Sequence, residues 1–202
     1  MSSRLTALIL CALLAPAFAR ASATPAPTTL PDCQFTNELG RAVRLSDFHG
    51  QALAITFFYT RCANPTFCPR LSKNFQEASA HLAAITNAPG NWHFLSVTFD
   101  PHFDTPDSLK AYAESYNYDP AHWSLLTGSP EQIGQLAHAF GVAYKDDSGM
   151  INHNFRTVIV DATGRIQMIF PTGGNLSDQI VEQMLKAAIV TAPLAQNHPI
   201  TK

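Results

Sequence analysis

Basic charge is scarce in this sequence: Lys and Arg together number 13 in 202 residues, never in a run, and the formal net charge is −2. Nucleic-acid binding needs a basic stripe or patch, so that class of function is set aside. Long apolar runs are missing as well. The most extended, residues 5–19 (LTALILCALLAPAFA), falls short of the ~20 residues that cross a bilayer as a helix. Cysteine occurs four times, too rarely for a disulfide-built scaffold. Methionine also occurs four times, scattered and without a cluster. No internal repeat is present.

An apolar content of 46 % with 14 % charged residues suits a globular chain with one sizeable core. Arg4 precedes the apolar run, and Ala17-Phe18-Ala19 and Ala21-Ser22-Ala23 both have the small-x-small form of a secretory cleavage site. Residues 1–23 are therefore expected to be a signal peptide, with Cys11 removed inside it. Residues 24–30, rich in Pro and Thr, read as a flexible linker. The folded domain is expected over 31–191, and 192–202 as a tail. Export to the periplasm leaves Cys33, Cys62 and Cys68. Three cysteines in an oxidising compartment cannot form a closed disulfide set.

Apolar periodicity gives the element order hairpin, β, α, β, α, β, α, hairpin, β-hairpin, α. The first hairpin turns at Glu38-Leu39-Gly40. ALAITFFY (52–59) and HFLSVTF (93–99) are unbroken apolar runs that read as buried central strands. From Pro69, Leu71, Phe75, Ala78, Leu82 and Ile85 fall on one helical face. Thr105-Pro106 and Ser129-Pro130 open two further helices, and Asn175 is expected to cap the last. Strands alternating with helices predict an α/β fold, a central mixed sheet flanked by helices. An N-terminal β-hairpin precedes it, and the order is similar to the thioredoxin plan.

Five residues, ANPTF, separate Cys62 from Cys68. Cys62 is expected in the loop above the carboxyl edge of the sheet, where open α/β sheets place their sites. Cys68 is expected at the helix N-cap with Pro69 in the first turn, where the dipole favours a thiolate. Three readings of the pair are open: a structural disulfide, a redox couple, or part of a metal site. His153, just ahead of the strand in HNFRTVIVD, is the candidate third member. Two thiolates and an imidazole are a soft donor set suited to copper, or to zinc with a fourth ligand. Cys33 is expected to be a buried small hydrophobe. His102 is in a loop that approaches the same edge.

TFFYTRC…CP after GRAVRLSDFHG, then VTFDPHFDTPDSLKAYA, then HNFRTVIVD, resembles the SCO/SenC family over about residues 31–190. The resemblance implies a thioredoxin-like fold and a copper ion held by Cys62, Cys68 and His153. It implies an exported metallochaperone in cytochrome c oxidase assembly, monomeric and near the membrane without deep insertion. Its partner would be the copper-bearing oxidase subunit or another copper chaperone. The family pattern has three residues between its cysteines, so the five here widen the loop and tilt the balance toward disulfide exchange. The alternative is a thiol–disulfide oxidoreductase that reduces a partner's cysteines, with Cys62 and Cys68 as catalytic residues. A peroxidase-like relative using one cysteine is a third option. In the block holding Asp100-Pro101 and Asp104-Thr105-Pro106, Asp104 and Thr105 are expected to end a loop and cap a helix.

Overall fold

The structure, a computed structural model, describes residues 30–147 and 150–190. The expected signal peptide, nearly all of the linker, and the tail are outside the described residues. Leu30 is the linker residue that is described, and its N–H donates to the Gly164 carbonyl at 3.1 Å.

β1 (Gln34–Asn37) and β2 (Ala42–Arg44) form the expected hairpin, with Gly40 at φ +74° in its turn. β3 (Ala52–Phe58), β4 (Trp92–Thr98) and β5 (Trp123–Thr127) are buried along their whole length. Both faces of these strands are covered, which is why their sequences run apolar instead of alternating. β3 pairs parallel with β4, and β4 with β5. β8 (Thr157–Val160) and β9 (Ile166–Phe170) close one side antiparallel, and β1 closes the other. The sheet order is β2-β1-β5-β4-β3-β8-β9, the mixed α/β arrangement expected. β6 (Tyr144–Asp147) and β7 (Met150–His153) form a separate two-stranded ribbon. The expected turn of that ribbon includes Ser148 and Gly149, which are outside the described residues.

Adjacent residues of β3 serve opposite faces. Phe58 meets Tyr112 of α2 (Pro106–Glu114), whereas Phe57 meets Phe140 at the end of α3 (Pro130–Ala139). α1 (Cys68–Ala84) sets Phe75 against Phe94 and Trp123, and packs beside α4 (Ser177–Ala188). Trp123 is fully buried, and its indole N–H is satisfied by Ser96 Oγ at 3.1 Å. Among the described residues no helix is long and apolar enough to cross a membrane.

The caps at Thr105 and Ser129 form as expected, each side chain accepting from the N–H three residues on. Gln132 Oε1 accepts from Gln34 N–H at 2.8 Å and ties α3 to the hairpin strand. Asn175 sits one residue ahead of the cap position, Leu176, although its Oδ1 still accepts from Ser177 N–H at 3.4 Å. Cys33 is fully buried, as expected of a small hydrophobe, and burial next to Asp32 pushes its pKa up.

Candidate metal centre

Three segments meet at the carboxyl edge of the sheet: the turn after β3, the first turn of α1, and the end of β7. The five residues between Cys62 and Cys68 close into a hydrogen-bonded turn. Asn64 Oδ1 accepts from Thr66 N–H at 3.0 Å and from its hydroxyl at 2.7 Å, while Asn64 O accepts from Phe67 N–H at 3.1 Å. Pro65 restricts Asn64 to extended geometry, which presents its side chain to that role. The widened loop is thus a built element. The cap of α1 is Phe67, with no side-chain cap bond, so Cys68 occupies the first helical position and Pro69 the second.

His153 stands ahead of β8 as expected, and it is also the last residue of β7. Its Nε2 stands 3.8 Å from Cys68 Sγ, although 85 residues separate the two in sequence. Its Nδ1 lies 3.0 Å from the Asn154 carbonyl oxygen. A carbonyl only accepts, so Nδ1 carries the proton and Nε2 offers its lone pair to Cys68. The ring is held by Phe99 at 4.9 Å and Phe155 at 5.3 Å between centroids. Burial lowers its pKa, against the opposing bond to Asn154. The imidazole is therefore neutral near pH 7, the form that binds a metal.

Cys68 departs from expectation in its acidity. The sulfur is fully buried, and burial pushes its pKa up, as does the neighbouring Cys62 thiol. Backbone groups of Tyr59 and of Cys68 itself oppose that rise and are outweighed. The helix N-terminus does not make a free thiolate here, because desolvation costs the anion more than the dipole returns. An ion that replaces the S–H proton supplies the missing positive charge.

Cys62 is 9 % exposed against 0 % for Cys68, and its Sγ lies 4.0 Å from the Asn64 carbonyl oxygen. It neighbours the Cys68 thiol and Tyr59, whose pKa is raised by burial and then by Cys62. Cys68 therefore stands between the other two. Among the described residues no group of three or more His, Cys, Asp or Glu side chains is gathered closely enough to hold an ion. The Cys68–His153 pair does fit one: its 3.8 Å separation is what bonds of about 2.3 Å to sulfur and 2.0–2.1 Å to nitrogen span at roughly 120°. Cys62 is not gathered with that pair closely enough to make a third ligand as it stands.

The supports of this edge were not evident in the sequence. Asp104, fully buried, does not cap α2; it accepts from Thr60 N–H at 3.1 Å and from the hydroxyls of Thr60 and Thr98. It thereby anchors the backbone two residues before Cys62. Arg61 donates from Nε to Asp100 at 3.0 Å and lies 4.5 Å over the Phe103 ring. Phe67 meets Phe155 edge-on at 5.2 Å, joining the start of α1 to the chain after His153. A Cβ on Gly173 would lie 3.1 Å from Phe155, so glycine there is what admits the ring. His102 is exposed and belongs to none of these contacts.

A family model described as SCO1/SenC matches residues 21–188. Protein sco1 of Schizosaccharomyces pombe is 27 % identical over 148 residues, 69 % of this chain and 53 % of its own length. The mitochondrial Protein SCO1 homolog of Homo sapiens is 26 % identical over 167 residues, 83 % and 52 %. The chain thus spans about half the length of both relatives. A SCO1/SenC family lipoprotein from Bacillus anthracis superposes with a TM-score of 0.69 at 24 % identity, over 79 % of this chain and 95 % of that one. Arabidopsis thaliana ScoI with copper bound gives 0.65 at 18 %, over 79 % and 99 %. BsSco, described as having a disulfide switch and as a member of the Sco family of cytochrome c oxidase assembly proteins, gives 0.67 at 22 %, over 83 % and 98 %. These neighbours share the thioredoxin-like fold.

Proposed function

The chain belongs to the SCO1/SenC family, matched over residues 21–188, and from that premise we propose that it is an exported copper-binding metallochaperone serving the copper site of cytochrome c oxidase. Copper is the cargo, and Cys62, Cys68 and His153 are its ligands. The observation that carries this reading is the 3.8 Å approach of Cys68 Sγ to a lone-pair-bearing His153 Nε2. The donor set supports it too, since thiolate and imidazole together favour a soft ion over magnesium or calcium. Copper-bound Arabidopsis ScoI supports the choice of metal. Three protein ligands leave one face of the ion open to a donor or acceptor protein, so cargo can pass by ligand exchange. The partner is the copper-bearing oxidase subunit or another copper chaperone. The apolar leader and the Bacillus lipoprotein relative support export and a membrane-proximal place, and the reading adds a periplasmic monomer.

Titration of the reduced protein with Cu(I) against a competing chelator tests the reading. One equivalent is expected to bind, and His153→Ala is expected to weaken it by on the order of a hundredfold or more. Unchanged affinity in that variant removes His153 from the site.

The inequality of the two thiols favours a second reading, thiol–disulfide exchange on a partner. Cys62, the more exposed of the two buried thiols, is the attacking sulfur, and Cys68 resolves the mixed disulfide. The five-residue turn suits that use. Partner reduction that is lost in Cys62→Ser yet kept in His153→Ala selects this reading over copper carriage.

A further inference from the structure

We infer that Asn154 is a positioning residue for His153: its carboxamide fixes the peptide whose carbonyl sets the tautomer and direction of the imidazole. This rests on the reading of His153 and Cys68 as a ligand pair only for its consequence in copper binding; the tautomer itself is independent of that reading.

Asn154 is bound on every side to one short segment. Its Oδ1 accepts from Ala143 N–H at 2.9 Å, and its Nδ2 donates to the Gly141 carbonyl at 3.0 Å. Its own N–H donates to the Ala143 carbonyl at 3.2 Å. The segment that receives these bonds is itself fixed. Gly141, at φ +65°, ends α3 with its N–H on the His138 carbonyl at 3.0 Å, and Val142 N–H reaches the Ala137 carbonyl at 2.8 Å. The ribbon pairing Tyr144 with His153 continues from the same place. The remaining polar atom, the Asn154 carbonyl oxygen, then faces His153 Nδ1 at 3.0 Å.

The side chain thus acts one step removed from the ring. With the carboxamide in place, the carbonyl plane cannot rotate, Nδ1 keeps its proton, and Nε2 keeps its lone pair aimed at Cys68. Hydrogen-bond partners of a ligating histidine act in this way, and their loss typically weakens metal binding about 10–100-fold. Here the partner is a main-chain oxygen that no substitution removes, so its anchor is the group to change. An alanine has no means of holding Ala143 and Gly141. An aspartate keeps the acceptor for Ala143 N–H but has no donor for the Gly141 carbonyl.

The test is the nitrogen NMR spectrum of the His153 ring in copper-free, reduced protein at neutral pH, for wild type, Asn154→Ala and Asn154→Asp. Wild type is expected to show the Nδ1–H form alone. Asn154→Ala is expected to show a mixture in which Nε2–H is well populated, with Asn154→Asp intermediate. An unchanged Nδ1–H spectrum in both variants overturns the inference, as does a wild type in the Nε2–H form. Should Asn154→Ala fail to fold, the aspartate variant decides alone, since it preserves shape and one of the two bonds. Cu(I) competition on the same samples is expected to fall 10–100-fold in the alanine variant. A redistributed tautomer with undiminished copper affinity upholds the positioning role and counts against His153 as a ligand.

Discussion

Replacing Cys68 with serine is expected to lower Cu(I) affinity by two to three decades. Structural zinc sites with four protein ligands bind with about 10–16 kcal/mol, so one ligand is worth roughly 2.5–4 kcal/mol, and each 1.4 kcal/mol is a decade. Serine nearly fills the space but offers a hard hydroxyl in place of a soft thiolate. The pH dependence is a sharper signature. Burial raises the Cys68 pKa, so the thiol is protonated throughout the neutral range and must lose that proton when the ion enters. Affinity therefore rises with pH, and Cys68 contributes about one to the slope of log K against pH. His153, whose pKa burial lowers, contributes less there than an ordinary imidazole would. In Cys68→Ser both the affinity and that unit of slope are expected to fall, whereas Cys33→Ala, in the hairpin, is expected to leave both unchanged. Competition titrations from pH 6 to 8 read the two quantities together. An unaltered slope in Cys68→Ser shows that Cys68 releases no proton to the ion.

Asp104→Ala is expected to cost about 3–5 kcal/mol of stability. The carboxylate is fully buried and receives the Thr60 N–H and the hydroxyls of Thr60 and Thr98; alanine strands all of them. For a domain of this size that corresponds to a melting temperature lower by roughly 10 °C. Asp104→Asn is expected to behave differently. Burial raises the Asp104 pKa above its ordinary value despite those hydrogen bonds, so the site disfavours the charge. Stability drawn from the protonated form is present below the unfolded pKa and is lost as pH rises through the folded one. A neutral amide keeps an acceptor for Thr60 N–H and escapes that loss, so asparagine is expected within about 1 kcal/mol of wild type at neutral pH, with less pH dependence. Denaturant melts at pH 4.5 and 7.5 check both variants. Equal destabilisation by Ala and Asn contradicts the hydrogen-bond account of Asp104.

The framework of this fold is written locally, and its site is not. The apolar runs of β3 and β4, the caps at Thr105 and Ser129, and the Gly40 turn each declare themselves within a few residues. Asn175 misled by one position because an Asx side chain can serve the turn ahead of a cap as readily as the cap itself. Cys68 was legible as the start of a helix but not as a buried, weakly acidic thiol. Its desolvation comes from the core that the tertiary fold packs around it, and the Cys62 thiol adds to the rise. The meeting of His153 with Cys68 depends on a ribbon that leaves the main sheet, whereas residue type, a place ahead of a strand and the family resemblance are what made His153 a candidate. In the sequence Asp104 looks like a helix-start residue, because Thr105-Pro106 already explains an aspartate there. Its bond to Thr60 spans 44 residues, beyond any local pattern. Asn154 gave no signal at all, since its partners at 141–143 look like an ordinary helix exit.

X-ray absorption at the copper edge, on reduced protein loaded with one equivalent of Cu(I), decides whether these residues form one site. The expected first shell contains two sulfur scatterers and one imidazole nitrogen, and the imidazole signal disappears in His153→Ala while both sulfurs remain. A shell of two sulfurs with no imidazole in the wild type, or one unchanged by His153→Ala, contradicts a copper centre built from Cys62, Cys68 and His153.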